Sequence, residues 1–138
     1  MLARATRQAA PLRPGVLDAS ALLALYFGEP AAEAVGRIVA GSLVSSVNYS
    51  EVIGKALDRG EAFNATLRKL VAMDFIVIAH DEGLARRTGE LQPVTKRLSL
   101  SLGDRACLAL AERETLPAYT LDRSWTRLDL PIEVVLLG

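Results

Sequence analysis

The stretch "SLSLGDRACLALAERETLPAYTLDRSW" (residues 99–125) decides the fold. Its first half reads as a buried helix capped by Ser101, because small and apolar residues dominate its interior and a hydroxyl residue stands at its start. "PAYTL" reads as a short strand and "DRSWTRL" as a turn or short helical piece. The run places Asp104 in the first turn of the helix and Asp122 just past the strand. Working outward, "GVLDASALLALYF" repeats the pattern: a short apolar run ends at Asp18, and Ala21, Leu22, Leu25 and Tyr26 then recur at helical spacing. "AAEAVGRIVA" reads as a second helix ending near Gly41, and "SLVSS" as a second strand. "VNYSEVIGKALDR" reads as a third helix, entered through Ser45 or Ser46 and stopped at Gly60. "EAFNATLRKLVAM" gives a fourth helix, the β-branched "FIVIA" a strand, "DEGLARRTGEL" a fifth helix, "QPVTKRL" a loop and "EVVLL" a last strand. Short strands alternating with helices imply an α/β domain: a short parallel central sheet with helices on both faces.

Composition bounds what such a domain can do. A chain of 138 residues, 51% apolar and 5% aromatic, supports one core built mainly from Ala, Leu and Val. Sixteen basic residues balance sixteen acidic ones, so net charge gives no general attraction to nucleic acid or membrane. No apolar run approaches the length that spans a bilayer. The single cysteine, Cys107, forms no internal disulfide, which fits a reducing cytoplasm, and its apolar helical neighbours mark it as a structural thiol. The single histidine, His80, leaves no zinc-ligand spacing and no catalytic triad. Residues 1–14 carry three basic residues and no acid. They read as a flexible basic leader, or a mis-assigned start, before a domain over residues 15–138.

Four carboxylates carry the chemistry. In open parallel sheets, ligands bind beyond the carboxyl ends of the strands. Asp18 and Asp122 each follow a strand, and Asp104 and Glu51 lie near the starts of helices on that same edge. Each has a structural alternative. Asp18 and Asp122 suit helix N-caps, Asp104 stands three residues after Ser101 as in a capping box, and Glu51 can lie on the surface. Together, converging carboxylates repel one another, and a hard divalent cation, Mg²⁺ or Mn²⁺, relieves that repulsion through oxygen ligands. Such a metal acidifies bound water and stabilises charge on a phosphoryl oxygen, so the chemistry implied is metal-dependent hydrolysis at phosphorus.

"VLDASALLAL", "SSVNYSEV", "LSLGDRACLALA" and "YTLDRSW", in this order, resemble the PIN-domain ribonucleases, most nearly the VapC-type toxins of bacterial toxin–antitoxin pairs. The resemblance covers residues 15–138. It implies a PIN-like fold and a metal-dependent endoribonuclease in which Asp18, Glu51, Asp104 and Asp122 hold Mg²⁺ or Mn²⁺ and direct water at RNA. Ser20 and Thr120 match the family's hydroxyl positions near the first and last Asp, where each can bond a carboxylate or a metal-bound water, or simply a local turn. Asn48 matches a polar position in the third helix, one step back from the metal. The partners implied are RNA, a VapB-type antitoxin and a second copy of the chain, assembling as a heterotetramer or larger. Candidate RNA contacts are Arg105 and Arg123, beside proposed ligands, then Lys96 and Arg97, with Arg86 and Arg87 in the same basic region. Trp125 can stack on a base or pack the last strand. The competing reading is a catalytically silent PIN-like module that binds RNA or protein. An aspartyl-nucleophile phosphatase fits less well, since Ser20 stands where it would need a second acid.

Overall fold

The computed structural model describes residues 4–6 and 12–138. In chain order the elements are β1 (Arg4–Thr6), β2 (Val16–Leu17), α1 (Ala19–Phe27), α2 (Ala32–Gly36), β3 (Leu43–Ser45), α3 (Ser46–Asp58), α4 (Phe63–Ala72), β4 (Ile76–Ile78), α5 (Glu82–Thr95), α6 (Leu102–Glu114), β5 (Ala118–Thr120) and β6 (Glu133–Leu136). Short 3-10 turns cover Lys96–Leu98 and Arg123–Arg127. The strands form one sheet of order β1-β6-β5-β2-β3-β4, and every pairing is parallel.

The strands are short, but their alternation is strict, and it builds two cores. Val16, Ala118 and Val134 face α5 and α6, packing with Leu84, Leu91, Leu108 and Leu110. Their neighbours Leu17, Tyr119 and Val135 face α1 to α4, packing with Leu22, Tyr26, Val35, Val52 and Leu70. Successive strand residues point to opposite faces, so two-residue β2 serves both cores at once. The expected helices on both faces are present.

The order of the strands sets the site. From β2 the chain runs outward through β3 and β4, then returns to the other side of β2 for β5 and β6. The direction of winding therefore reverses between β2 and β5, and a crevice opens there at the carboxyl ends. Asp18 follows β2 and Asp122 lies two residues past β5, so both acids stand at this reversal.

Local chemistry explains the helix ends. Asp18 caps α1 by accepting from the Ala21 N–H, and Gly28 closes it in the left-handed conformation at φ 65°. Ser45 caps α3, while Ser101 and Asp104 form a reciprocal capping box on α6. Two boundaries differ from expectation. The second helix stops at Gly36, and Ile38 and Val39 are buried from the turn that follows. The expected loop at "QPVTKRL" is instead the end of α5, which continues through Pro93 to Thr95. Proline there removes one hydrogen bond to the carbonyl four residues back; that residue, Gly89, is exposed, so water can take the proline nitrogen's place. Of residues 1–14, read as a leader, 1–3 and 7–11 lie outside the described residues, and Arg4–Thr6 pair with Glu133–Val135 of β6.

Candidate metal centre

Asp18 is the innermost of the four acids, 2% exposed. Its Oδ1 accepts from the Ser20 hydroxyl at 2.7 Å and the Ala21 N–H at 2.9 Å, and its Oδ2 accepts from the Thr120 hydroxyl at 2.5 Å. Each hydroxyl also accepts a main-chain N–H from the segment after β5: Leu121 to Ser20 at 3.1 Å, and Asp122 to Thr120 at 3.0 Å. Ser20 and Thr120 thus stitch the end of β5 onto the carboxylate that follows β2. Burial nevertheless pushes the Asp18 carboxyl up to a pKa of about 6; the three hydrogen bonds oppose the shift, and the nearby Asp104 charge adds to it.

Asp104 accepts from the Ser101 N–H through Oδ2 at 2.9 Å, completing its capping box. Asp122 is exposed and caps the following 3-10 turn, its Oδ1 accepting from the Ser124 N–H at 2.9 Å. Glu51 is also exposed at the level of the whole residue, yet its carboxylate lies directly over Gly103 of α6. Its Oε1 accepts from the Asn48 amide at 2.9 Å, and the same amide nitrogen donates to the Gly103 carbonyl at 3.0 Å. Structural and functional readings of these acids are therefore compatible. Each cap uses one oxygen, and Asp104 Oδ1, Asp122 Oδ2 and Glu51 Oε2 accept no hydrogen bond among the described residues.

The buried Cys107 thiol, on α6, reports the charge around this crevice. Its pKa rises chiefly through burial, and further through the charges of Asp18, Asp104 and Glu51. The charges of those three acids are thus all felt at this thiol, and the Asp122 main-chain N–H is tied to Asp18 through the Thr120 hydroxyl. None of the four forms an ion pair among the described residues. Nor do any three His, Cys, Asp or Glu side chains there stand close enough to make a finished ion cage. The donor set nevertheless fits a hard cation: it is all carboxylate oxygen, uncompensated by Lys or Arg, with soft ligands confined to an inaccessible thiol.

A family model for the PIN domain matches residues 15–130. The chain belongs to the PIN-domain family. The fold is similar to a chain of a toxin–antitoxin complex from Klebsiella pneumoniae, at 21% identity and a TM-score of 0.67, covering 87% of this chain and 95% of that one. It is also similar to a chain of VapBC2 from Rickettsia felis, solved with a DNA fragment from the promoter of that pair, at 14% identity, a TM-score of 0.66 and coverage of 92% and 100%. A third similar structure is VapC20 from Mycobacterium tuberculosis, a toxin that cleaves the sarcin–ricin loop, at 17% identity, a TM-score of 0.63 and coverage of 78% and 89%. At these identities the likeness is one of fold. No curated protein sequence gives a significant match.

Around the acids of this PIN domain, the proposed RNA contacts separate into two groups. Arg123 is exposed and shares a groove with Arg37 and the start of α2; Lys96 and Arg97 are exposed beside Pro93, Val94 and Asp129. The others are engaged elsewhere. Trp125 is 1% exposed and belongs to the core against α5 and α6, so it has no face to offer a base; this corrects the stacking role. Arg105 is turned toward α5, where it donates to the Thr88 carbonyl at 2.9 Å, which corrects its reading as an open phosphate contact. Arg87 holds Glu112 through two hydrogen bonds, and Arg86 pairs with Glu82. No described helix is long and apolar enough to cross a membrane. One residue the motifs did not single out is Gly103, whose bare Cα lets the Glu51 carboxylate approach.

Proposed function

We propose that this PIN domain is a metal-dependent endoribonuclease, the toxin of a VapBC-type pair, acting in the cytoplasm. The observation that carries the reading is the buried Asp18 carboxylate at the β2/β5 reversal, held on both oxygens and near the Asp104 charge, with no ion pair to any of the four acids among the described residues. Asp18, Glu51, Asp104 and Asp122 would hold Mg²⁺ or Mn²⁺. When bound, the ion supplies an acidified water and charge stabilisation at the scissile phosphate. Ser20 and Thr120 orient the Asp18 carboxylate and favour its ionised form through their hydroxyl hydrogens. Arg123, Lys96 and Arg97, exposed and outside the acid crevice, would hold RNA phosphates and set register.

The structurally similar toxin–antitoxin chains support a VapB-type antitoxin as the partner; we further propose a homodimer inside a heterotetramer or larger assembly. The deciding experiment is RNA cleavage with Mn²⁺ by purified wild type and Asp104→Asn. Asparagine can keep the helix cap but lacks the charge. Cleavage by the wild type alone supports the proposal. Equal cleavage by a folded Asp104→Asn protein rules it out, and no cleavage by either favours a silent binding module.

A further inference from the structure

Gly103 occupies the first turn of α6, where glycine weakens a helix relative to alanine. Its φ lies outside the left-handed region, so the backbone does not require it. The neighbourhood does. A Cβ built on Gly103 would stand 2.7 Å from Cδ and 2.8 Å from Oε2 of Glu51, and collide with Oε1. Those three carboxylate atoms are the nearest obstacles. On the other side is Asn48, 1% exposed, whose Nδ2 donates both to Glu51 Oε1 and to the Gly103 carbonyl. Its Oδ1 is buried without a partner among the described residues. Turning the amide over would press that oxygen against a carboxylate and a carbonyl, so the two acceptors fix its orientation.

We propose that Gly103 and Asn48 form a seat that positions the Glu51 carboxylate for the metal. Gly103 admits it to the surface of α6 beside Asp104, and Asn48 pins it there while joining α3 to α6. Both are positioning residues, and their role at a metal rests on the nuclease reading above. The obstructed atoms end a flexible side chain, so Gly103→Ala leaves the fold and the Ser101–Asp104 box in place and swings Glu51 aside. An acid five residues past the start of α3 thus depends on a missing methyl group on another helix.

The test is Mn²⁺ titration calorimetry on the full chain, with wild type, Gly103→Ala, Asn48→Ala, Glu51→Ala and the double variants. Loss of a group that orients a metal ligand typically weakens binding by about 10- to 100-fold, and that is the expectation for Gly103→Ala and Asn48→Ala. In the Glu51→Ala background neither should weaken it further. Wild-type affinity in Gly103→Ala, or an equal loss with and without Glu51, overturns the seat. A second measurement needs no metal: the side-chain amide signal of Asn48 by NMR in EDTA. It should move in both Gly103→Ala and Glu51→Ala; an unmoved signal in either overturns the seat. If wild type binds no Mn²⁺, the nuclease reading fails, and the Asn48 signal decides the seat by itself.

Discussion

Asp18 and Asp122 follow neighbouring central strands, and each caps what comes next. Yet one is sealed in the protein and the other stands in water. Asp18 precedes a full helix whose Ser20 folds back on it, while Thr120 reaches it from the adjacent strand. Asp122 precedes only a 3-10 turn and keeps a single hydrogen bond, from the Ser124 N–H. Position after a strand therefore fixes where an acid points along the sheet, and burial, opposed by the hydroxyls around it, sets its proton affinity. The buried acid sets the pH behaviour of the site; the exposed one adds charge with little effect on the fold.

The largest expected effect follows from Asp18. Its carboxyl titrates at about 6 in the fold against an ordinary value of 3.8. A raised acid pKa means that the folded state holds the proton more tightly than the unfolded one. The resulting stability is complete below about pH 4 and is lost as pH rises through about 6. It amounts to on the order of 3 kcal/mol. Urea unfolding in EDTA across this range should show that decline, and Asp18→Asn should flatten it; an unchanged slope would remove the distinction between the two acids.

Thr120 connects them, donating to Asp18 and accepting from the Asp122 N–H. Thr120→Val should cost about 2 kcal/mol at neutral pH, as for a hydrogen bond to a charged group, and push the Asp18 titration higher still. Denaturant midpoints at pH 5 and 8 read both effects. Asp122→Ala should cost about 1 kcal/mol through the lost cap, while RNA cleavage falls; denaturant midpoints and cleavage assays on the same protein read both. A stability loss as large as that of Thr120→Val would show that Asp122 is tied to the fold more closely than its exposure indicates. The smallest effect belongs to Lys96 and Arg97. Single alanines there should change stability by under about 0.5 kcal/mol and lower the salt dependence of RNA binding by about 0.7 in log–log slope per lost phosphate contact, measurable by fluorescence anisotropy.

Much of this was legible in the sequence. The positions of four acids at strand ends and helix starts depend on short-range spacing, and Ser20 and Thr120, singled out by the resemblance to the PIN-domain family, do bond Asp18. What escaped depends on contacts between segments far apart in the chain. Trp125 can stack on a base or pack the last strand as far as its sequence neighbours show, and only its burial in the fold decides for packing. Arg105 resembles a phosphate contact until α5 offers the Thr88 carbonyl. Gly103 carries no local signal beyond being glycine in a helix, because its reason lies on α3, 52 residues earlier in the Glu51 side chain. The continuation of α5 past Pro93 shows the same priority of packing over propensity, since buried Leu91 and Thr95 hold its last turns in place.

The central claim, that the buried Asp18 carboxyl gives up its proton to anchor a divalent ion, is tested most directly by Mn²⁺ calorimetry at pH 6 in buffers of different ionisation enthalpy. With a pKa of about 6, binding should release roughly half a proton from Asp18, and Asp18→Asn should lose that release along with most of its affinity. Tight binding with no proton released, or with the same release in Asp18→Asn, would contradict the account.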